Sequence, residues 1–327
     1  MGNDALTRDL AVLGGTGFVG RHFVATASLL GRRVRMLVRE TAAPADDSIE
    51  RVSGDLGDAA ALSRLITPGA TVVNFAWSGK TSPDDAVRQA RQLATACREA
   101  GASALLHCST ADVFGGCDGA AVIRDDTAPR PADHYGRVKL AVDDMLRQEL
   151  EGRVPLALLR PTSVFGAGGG GLVKLLGEIS SGVGLASYLR SCLFDNRLMH
   201  LVPVETVVEA FLFVETRVGS AGRCHLIAAD HEPLNRYRGM ERRLMQFLDV
   251  RDHPLPRLPL PPAALRLALR VGGRRAALPF TPFDDDGLRA LGFRPPVAFE
   301  AAVESFAAWY RAQPGAAPHG RASGAVS

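Results

Sequence analysis

A glycine-rich turn near the start of the chain constrains the fold more than any other feature of the sequence. The apolar stretch DLAVL at 9–13 is typical of a buried strand, and it is followed directly by GGTGFVG at 14–20, where a helical pattern begins. Glycines at this spacing allow a tight turn, a close approach of the backbone to a pyrophosphate, and packing of the helix on the strand. The context favours a dinucleotide site over an ordinary strand-to-helix turn. At this turn we expect the dinucleotide to be bound by Gly14, Thr16, Gly17, Phe18, Val19 and Gly20.

The first half of the chain alternates short apolar runs with helical patterns. Strands that alternate with helices of about 10–18 residues indicate βαβ units and a parallel sheet covered on both faces. We therefore predict the α/β class, with a doubly wound parallel sheet of the Rossmann type. The predicted strands are 9–13, 34–38, 49–53, 71–76, 104–108 and 155–159, and the predicted helices are 18–30, 83–101 and 135–150.

The end of the second predicted strand indicates which dinucleotide binds. An acidic residue about 20 positions after the glycine turn would hold the adenosine 2′-hydroxyl, whereas an arginine would accept a 2′-phosphate. Arg39 follows Gly20 by nineteen residues and Glu40 comes one position later, so we favour NADP(H) over NAD(H). The alternative is that Arg39 is one of many surface arginines. Asp55 and Leu56, after the third predicted strand, are placed to meet the adenine, although a solvated loop aspartate is an equal interpretation.

The pattern becomes less regular after the sixth predicted strand. We expect residues 1–165 to form an NAD(P)-binding Rossmann domain and 166–313 to form a small C-terminal α/β cap that binds the substrate. The segment 198–220, a predicted strand and helix, is expected to return to the first domain, and 314–327 is expected to be a disordered tail.

Composition limits the partners of this chain. The 327 residues carry a net charge of +3, with 38 basic and 35 acidic side chains, which favours neither a nucleic-acid partner nor a membrane partner. The first ten residues lack the basic flank and apolar stretch of a signal peptide, and the five cysteines include no C-x-x-C pair. The cysteines and the missing signal-peptide pattern therefore favour a cytoplasmic protein. His107, His134 and His200 have no metal-ligand spacing, so we predict no metal site.

Two side chains one helical turn apart are candidates for proton transfer. Tyr135 and Lys139 lie at i and i+4 of a predicted helix and therefore on the same face. A tyrosine is a poor acid or base near neutrality unless a neighbouring cation stabilises its phenolate, which a lysine at this spacing can do. Thr110 lies at the exit of the fifth predicted strand, where its hydroxyl can bind a substrate oxygen. The alternative is a surface tyrosine beside an exposed lysine.

At these motifs the chain resembles the extended short-chain dehydrogenase/reductase family, which includes NAD(P)-dependent sugar epimerases, dehydratases and ketoreductases. The resemblance runs nearly end to end, in family order and spacing. The motifs that carry it are GGTGFVG (14–20), GDL (54–56), NFA (74–76), STADVFG (109–115), YGRVK (135–139), RPTSVFG (160–166) and VPVETVVEA (202–210).

The resemblance implies roles for individual residues. Thr110 and Tyr135 match the catalytic Ser/Thr and Tyr, and Lys139 would lower the pKa of the tyrosine and bind the nicotinamide ribose. Further cofactor contacts would come from Tyr135 itself and from Phe75, Ala76, Pro161 and Val164. Asp112 occupies the place of the acid in dehydratases of the family, but it is one methylene shorter than the usual Glu and could equally hydrogen-bond a loop.

The segment expected to bind substrate departs from the family pattern. Ser163 stands where sugar-nucleotide enzymes often carry Asn, which weakens that substrate class, while Arg190 and Arg197 could pair with a diphosphate. We predict an NADP(H)-dependent oxidoreductase acting on a carbonyl or hydroxyl carbon of a sugar that is nucleotide-linked, working as a homodimer. Two alternatives stay open: an epimerase or dehydratase that retains NAD, and a catalytically silent NADP-binding sensor or scaffold.

Overall fold

The centre of the molecule is a seven-stranded parallel sheet in the order β3-β2-β1-β4-β5-β6-β9. The computed structural model describes residues 9–39, 49–77, 81–182, 184–217, 224–258, 260–271 and 278–313. Two further strands, β7 and β8, form a separate parallel pair. The strands are β1 Leu10–Leu13, β2 Val34–Val38, β3 Ile49–Ser53, β4 Thr71–Asn74, β5 Ala104–Cys108, β6 Leu156–Pro161, β7 Ser163–Phe165, β8 Leu201–Pro203 and β9 Cys224–Ile227.

The order reverses between β1 and β4, so the sheet is doubly wound and the predicted fold class is confirmed. Helices cover the sheet, and the predicted strands and long helices of the first half all form, with ends shifted by a few residues. The helices are α1 Phe18–Leu29, α2 Ala59–Leu65, α3 Pro83–Glu99, α4 His134–Leu150, α5 Val173–Ser180, α6 Leu185–Phe194, α7 Val204–Glu215, α8 Tyr237–Phe247, α9 Pro262–Val271, α10 Asp286–Ala290 and α11 Phe299–Arg311.

Side-chain capping explains where three helices of the first half begin. Asp58 accepts a hydrogen bond from the Ala61 amide at the start of α2, and Ser82 accepts one from Asp85 at the start of α3. Asp133 does the same for Gly136 at the start of α4. Each cap satisfies a backbone donor that has no partner within its helix. The α4 cap fixes the first turn of the helix that carries Tyr135.

Alternating residues of β1 show how the sheet builds a core on both faces. Leu10 and Val12 pack in a cluster with residues of α1 and α7, whereas Ala11 and Leu13 pack in a second cluster with residues of α2, α3 and α4. A parallel sheet that is buried on both faces requires apolar residues at consecutive positions, as in this strand.

A third apolar cluster lies in the C-terminal part of the chain and involves residues of β7, β8, α5, α8 and α11. Phe165 from β7 packs edge-on against Phe299 and Phe306 of α11. Helix α7, in the segment that we expect to return to the first domain, packs on α1. Strand β9 lies in the range expected to form the cap, but it pairs with β6 at the edge of the main sheet. The proposed boundaries at 165 and 313 stay predictions, and 314–327 lies outside the described residues.

Within the described ranges, none of the helices combines the length and apolarity that crossing a bilayer requires. The same part of the chain holds no group of three or more His, Cys, Asp and Glu side chains placed to bind a metal ion.

Candidate active site

The glycine turn leads from β1 into α1 at the point where the strand order reverses. Gly14 has a φ of +74°, and a Cβ at this residue would lie 2.5 Å from the Ala76 nitrogen. A Cβ on Gly20 would overlap the Gly14 carbonyl, so helix and turn approach too closely for a side chain. Both positions therefore require glycine, for a positive φ and for close approach. The backbone amides at the start of α1 are left free to face an anion.

A cavity of about 360 Å³ lies at the carboxyl ends of the central strands, beside this turn. It runs from the ends of β2 and β3 past the glycine turn to the ends of β4 and β5. The bare glycine backbone beside a helix N-terminus fits the pyrophosphate of a dinucleotide. Nine of the residues predicted to bind the cofactor line this cavity: Gly14, Thr16, Gly17, Arg39, Asp55, Leu56, Phe75, Ala76 and Lys139.

The side chains of the other residues predicted to bind the cofactor lie elsewhere. Phe18, Val19 and Val164 pack against the apolar cluster between the sheet and α1, and Gly20 lies inside the turn. Pro161 is buried at the end of β6, in register with Ile227. These five and Tyr135, which we also expect to contact the cofactor, are not among the described residues that line the cavity, and their predicted cofactor contacts stay untested.

The exit of β5 holds Thr110, as predicted. Its Oγ1 accepts a hydrogen bond from the Asp112 amide and donates one to Asp112 Oδ2, both at 3.2 Å, which starts the 3-10 turn Ala111–Phe114. A Cβ on Gly136 would lie 2.6 Å from the Asp112 carbonyl oxygen. Glycine beside Tyr135 therefore lets the first turn of α4 approach the 3-10 turn, which brings Thr110, Asp112 and Tyr135 together.

Tyr135 is half-buried and remains a phenol at neutral pH. Burial raises its pKa to about 12, and the Asp112 carboxylate adds to the increase, while a hydrogen bond with the Thr110 side chain acts in the opposite direction. The expectation that Lys139 lowers this pKa stays a prediction. Lys139 Nζ donates a 2.7 Å hydrogen bond to the Cys108 carbonyl oxygen at the end of β5.

Lys139 is almost completely buried. Burial lowers its pKa, since the charged form loses water, and the nearby Asp143 carboxylate opposes that effect. Its ammonium group lies 4.9 Å from the centre of the Trp77 ring. Sequence reasoning missed Trp77, which follows the NFA motif directly and also lines the cavity. An aromatic residue immediately after a predicted cofactor motif was the available signal.

A buried polar network supports this edge of the sheet. Asp143, one turn after Lys139 on α4, accepts hydrogen bonds from Ser109 at 2.8 Å and from Arg160 at 3.0 Å. His107 Nδ1 lies 3.0 Å from Asn74 Nδ2, and His107 Nε2 lies 3.9 Å from Asp143 Oδ1. All five residues are buried. Sequence reasoning missed this network, although polar residues within apolar strands were a usable signal.

Asp112 faces Tyr135 from the 3-10 turn. Although Asp112 is exposed to solvent, partial desolvation by the neighbouring elements raises the pKa of its carboxyl group, the Thr110 hydroxyl opposes this, and the Asp133 carboxylate adds to it. A carboxyl group with a raised pKa is a better proton donor near neutral pH than an ordinary aspartate.

The residues predicted to bind the substrate are separate from one another. Ser163 is exposed in β7, and its amide donates a 2.7 Å hydrogen bond to the His200 carbonyl. Arg190 forms an ion pair with Glu178 at 2.6 Å, and the Arg197 guanidinium lies over the Phe194 ring. The roles of these three residues stay predictions.

The class of protein follows from this fold and from the match with known proteins: the chain is an enzyme of the extended short-chain dehydrogenase/reductase type. Residues 10–216 match the NAD dependent epimerase/dehydratase family, which is well over half of the chain, and the chain belongs to that family.

Two curated relatives match the chain over part of its length. The dTDP-6-deoxy-L-talose 4-dehydrogenase (NAD(P)(+)) of Kitasatospora kifunensis is 33% identical over 171 residues, 49% of this chain and 53% of the relative. The dTDP-glucose 4,6-dehydratase of Mycolicibacterium smegmatis is 30% identical over 160 residues, 42% of this chain and 47% of the relative. The matched segments thus span about half the length of these relatives.

Solved structures share the fold over nearly the whole chain. The Bordetella bronchiseptica enzyme WbmG, in complex with NAD and UDP, has a TM-score of 0.70 at 17% identity, covering 93% of this chain and 94% of that one. The Thermus thermophilus UDP-glucose 4-epimerase, in complex with NAD, has a TM-score of 0.69 at 18% identity, covering 94% and 99%. At these identities the likeness concerns the fold alone.

Proposed function

We propose that this enzyme is an NADP(H)-dependent oxidoreductase that acts on a carbonyl or hydroxyl carbon of a nucleotide-linked sugar. The observation that carries the proposal is the meeting of Thr110, Asp112 and Tyr135 beside Lys139, which lines the end of the cofactor cavity nearest β5. A carbonyl reduction needs a proton donor at the oxygen and a hydride donor at the carbon, and this arrangement offers a place for each.

The cofactor would be held along the cavity. The amides of the glycine turn would face the pyrophosphate, with Asp55 and Leu56 on the adenine side and Phe75 and Ala76 on the nicotinamide side. Arg39, exposed at the end of β2, would pair with a 2′-phosphate, which favours NADP(H). When bound, the nicotinamide ring supplies the hydride for reduction or accepts it for oxidation.

Tyr135 would give its proton to the substrate oxygen during reduction, with Thr110 holding that oxygen. The raised pKa of Tyr135 supports this direction, because the phenol stays protonated at neutral pH. In oxidation the same side chain would have to act as a phenolate, which the nearby Asp112 carboxylate disfavours. We therefore expect the reduction rate to fall and the oxidation rate to rise as the pH increases through the pKa of Tyr135.

A nucleotide-linked sugar is the substrate class that the relatives support, since both curated matches act on dTDP-sugars by name. In this proposal Ser163 contacts the sugar, and Arg190 and Arg197 pair with the diphosphate, for which the ion pair of Arg190 with Glu178 would have to open. A homodimer in the cytoplasm completes the proposal, and the five free thiols suit a reducing compartment. Sedimentation of the purified protein tests the dimer.

A retained-cofactor dehydratase or epimerase is the second candidate, and Asp112 favours it. Its carboxyl group has a raised pKa and lies next to Thr110 and Tyr135, where an acid for β-elimination would be needed. Asp112→Asn should then abolish elimination while hydride transfer stays measurable. For a simple reductase the same change should lower the rate by less than the roughly 10²–10⁴-fold typical of a general acid.

The deciding experiment uses purified protein and two readouts. Mass spectrometry identifies any retained dinucleotide, and absorbance follows NADPH oxidation with a dTDP-linked 4-keto-6-deoxyhexose. We expect no tightly held NAD and a substrate-dependent oxidation of NADPH. Retained NAD with conversion of the sugar in the absence of added cofactor would instead establish the second candidate.

The cofactor preference has its own test. Arg39→Ala should weaken NADPH binding by about 1.5–3 kcal/mol, the usual range for a hydrogen bond to a charged group, and should leave NADH binding unchanged. Arg33→Ala is the control, since Arg33 is an exposed arginine that pairs with Asp9 at the opposite end of the sheet. Equal weakening of both cofactors by Arg39→Ala would remove the basis for the NADP(H) preference.

A further inference from the structure

Trp77 occupies a fixed position at the end of the cofactor cavity. It follows β4 after Phe75, which packs against Phe23 and Phe211 in the core. The Ala76 amide donates a 3.0 Å hydrogen bond to Asn74 Oδ1, and Asn74 in turn contacts buried His107. The backbone leading to Trp77 is therefore held at Phe75 and at the Ala76 amide, while the indole itself stays 39% exposed.

The indole lies between the two groups proposed for proton transfer. Its ring meets the Tyr135 ring edge-on, with 5.1 Å between centroids and 75° between planes. The Lys139 ammonium lies 4.9 Å from the indole centroid, within the range of a cation–π contact. Tyr135 and Lys139, both on α4, thus share Trp77 as a neighbour. Trp77 comes from the segment that follows β4.

Each contact has a physical consequence. Lys139 is buried, with one hydrogen bond to the Cys108 carbonyl, so the π face of Trp77 partly replaces the water that its charge has lost. The indole also covers the phenol of Tyr135, and burial is the main cause of the raised pKa of that group. Removing the indole would admit water to both side chains.

The location on the sheet identifies which end of the dinucleotide meets Trp77. In a doubly wound sheet the adenosine half lies over the strands on one side of the reversal point and the nicotinamide half over the strands on the other. Arg39 and Asp55 follow β2 and β3, whereas Trp77 follows β4, beside β5. Trp77 therefore lines the nicotinamide half of the cavity.

We propose that Trp77 is a positioning residue of the reaction, whose indole keeps the Lys139 ammonium and the Tyr135 phenol in place and forms the wall that the nicotinamide ring contacts. This inference rests on the proposed function for its chemistry, but its first test needs cofactor binding alone.

The first test uses the two tryptophans of the chain, Trp77 and Trp309. Trp309 stacks on Phe306 in α11, in the C-terminal part of the chain, so Trp309→Phe leaves Trp77 as the sole indole and Trp77→Phe gives the matched control. Oxidised NADP quenches indole emission by contact, because its absorption does not overlap that emission. We expect it to quench most of the emission of Trp309→Phe and little of that of Trp77→Phe.

A ligand control separates contact with the nicotinamide from a general effect of binding. The 2′-phosphorylated ADP-ribose carries the same phosphates and adenosine but no nicotinamide ring. It should bind Trp309→Phe and leave most of the Trp77 emission intact. Equal quenching by both ligands, or none by NADP, would overturn the placement of the nicotinamide against Trp77.

The second test is the pH profile of the reduction, which a purely structural role would not shift. Trp77→Leu should expose Tyr135 and move the alkaline fall of kcat to lower pH, towards the ordinary tyrosine value of 10.0. Trp77→Phe keeps an aromatic face and should restore most of the wild-type profile. A Trp77→Leu profile identical to wild type would overturn the positioning role.

The two hypotheses fail in distinguishable ways. If wild-type protein reduces no nucleotide-linked sugar, the proposed function is wrong, and the quenching experiment still decides whether the nicotinamide meets Trp77. If turnover occurs but NADP leaves Trp77 emission unchanged, the proposed function stands and the role of Trp77 does not.

Discussion

Two buried arginine–carboxylate clusters lie in different parts of the molecule. In the catalytic-edge cluster, formed by Ser109, Asp143 and Arg160, a carboxylate on α4 joins residues at the ends of β5 and β6. In the cap cluster, formed by Ser191, Glu241, Asp252 and Arg257, a guanidinium from the segment after α8 joins α6 and α8. Each cluster pairs a buried arginine with a buried carboxylate and a serine hydroxyl, and the cap cluster adds the exposed carboxylate of Asp252.

The difference between the clusters lies in what is next to them. Asp143 is one helical turn from Lys139 and helps to keep that ammonium charged, so the catalytic-edge cluster reaches the candidate proton-transfer site. The cap cluster fastens the segment near Arg257 to two helices, and its described contacts lead to no residue of that site. The two clusters thus share similar buried chemistry and differ in the residues that lie next to them.

Breaking either cluster should have the largest effect on stability. Asp143→Asn leaves buried Arg160 without its carboxylate, which should lower the free energy of unfolding by about 3–5 kcal/mol, whereas Glu241→Gln removes one of the two carboxylates that pair with Arg257 and should cost less. Urea denaturation measures this. Of the two variants, Asp143→Asn alone should also reduce turnover per folded molecule. The reason is that Asp143 supports the charge on Lys139, whereas Glu241 does not contact Lys139.

A neighbouring residue provides the control for this comparison. Asp144 pairs with Arg147 on the surface of α4, so Asp144→Asn should change stability by less than about 1 kcal/mol. If Glu241→Gln lowered turnover per folded molecule as much as Asp143→Asn, the distinction between the two clusters would be lost.

Removing the lysine charge next to the catalytic-edge cluster should have an intermediate effect. Lys139→Met keeps the buried aliphatic stem but deletes the ammonium, so cofactor binding should weaken by about 1.5–3 kcal/mol and turnover should fall with it. Fluorescence titration and kcat measure the two effects. Lys174→Met, at an exposed lysine of α5, is the matched control and should match wild type in both.

The smallest predicted effect is a pH dependence of stability from His107. Burial holds its pKa well below the usual 6.5, so below that pH the unfolded chain takes up a proton that the folded protein does not. The free energy of unfolding should therefore fall with decreasing pH, by up to about 1.4 kcal/mol per pH unit. His107→Asn should flatten this slope, and His134→Asn, on the surface of α4, should retain it.

The local parts of this structure could be predicted from the sequence. Strands and helices with clear periodicity, the glycine turn and the pairing of Tyr135 with Lys139 on one helix all depend on residues close in the chain, and the fold class was predicted correctly. The short helix α2 was missed, because its seven residues give little periodicity.

Contacts between residues that are distant in the chain could not be predicted from the sequence. Arg160 reaches Asp143 across 17 residues and Arg257 reaches Ser191 across 66, and nothing in the spacing of polar residues specifies such pairs. The contacts of the Lys139 ammonium with Cys108 and Trp77 depend on where three separate elements meet. Local spacing placed the side chains on one face but did not determine their partners.

The most direct measurement compares two tyrosines, one at the catalytic edge and one in the C-terminal part of the chain. Tyr135→Phe removes the proposed proton donor and should lower kcat for reduction by about 10²–10⁴-fold while leaving cofactor affinity unchanged. Tyr188→Phe removes a hydroxyl that hydrogen-bonds the Pro256 carbonyl beside the cap cluster, and its kcat should stay within about tenfold of wild type. A Tyr135→Phe enzyme that retains wild-type turnover would contradict the assignment of Tyr135 as the acid.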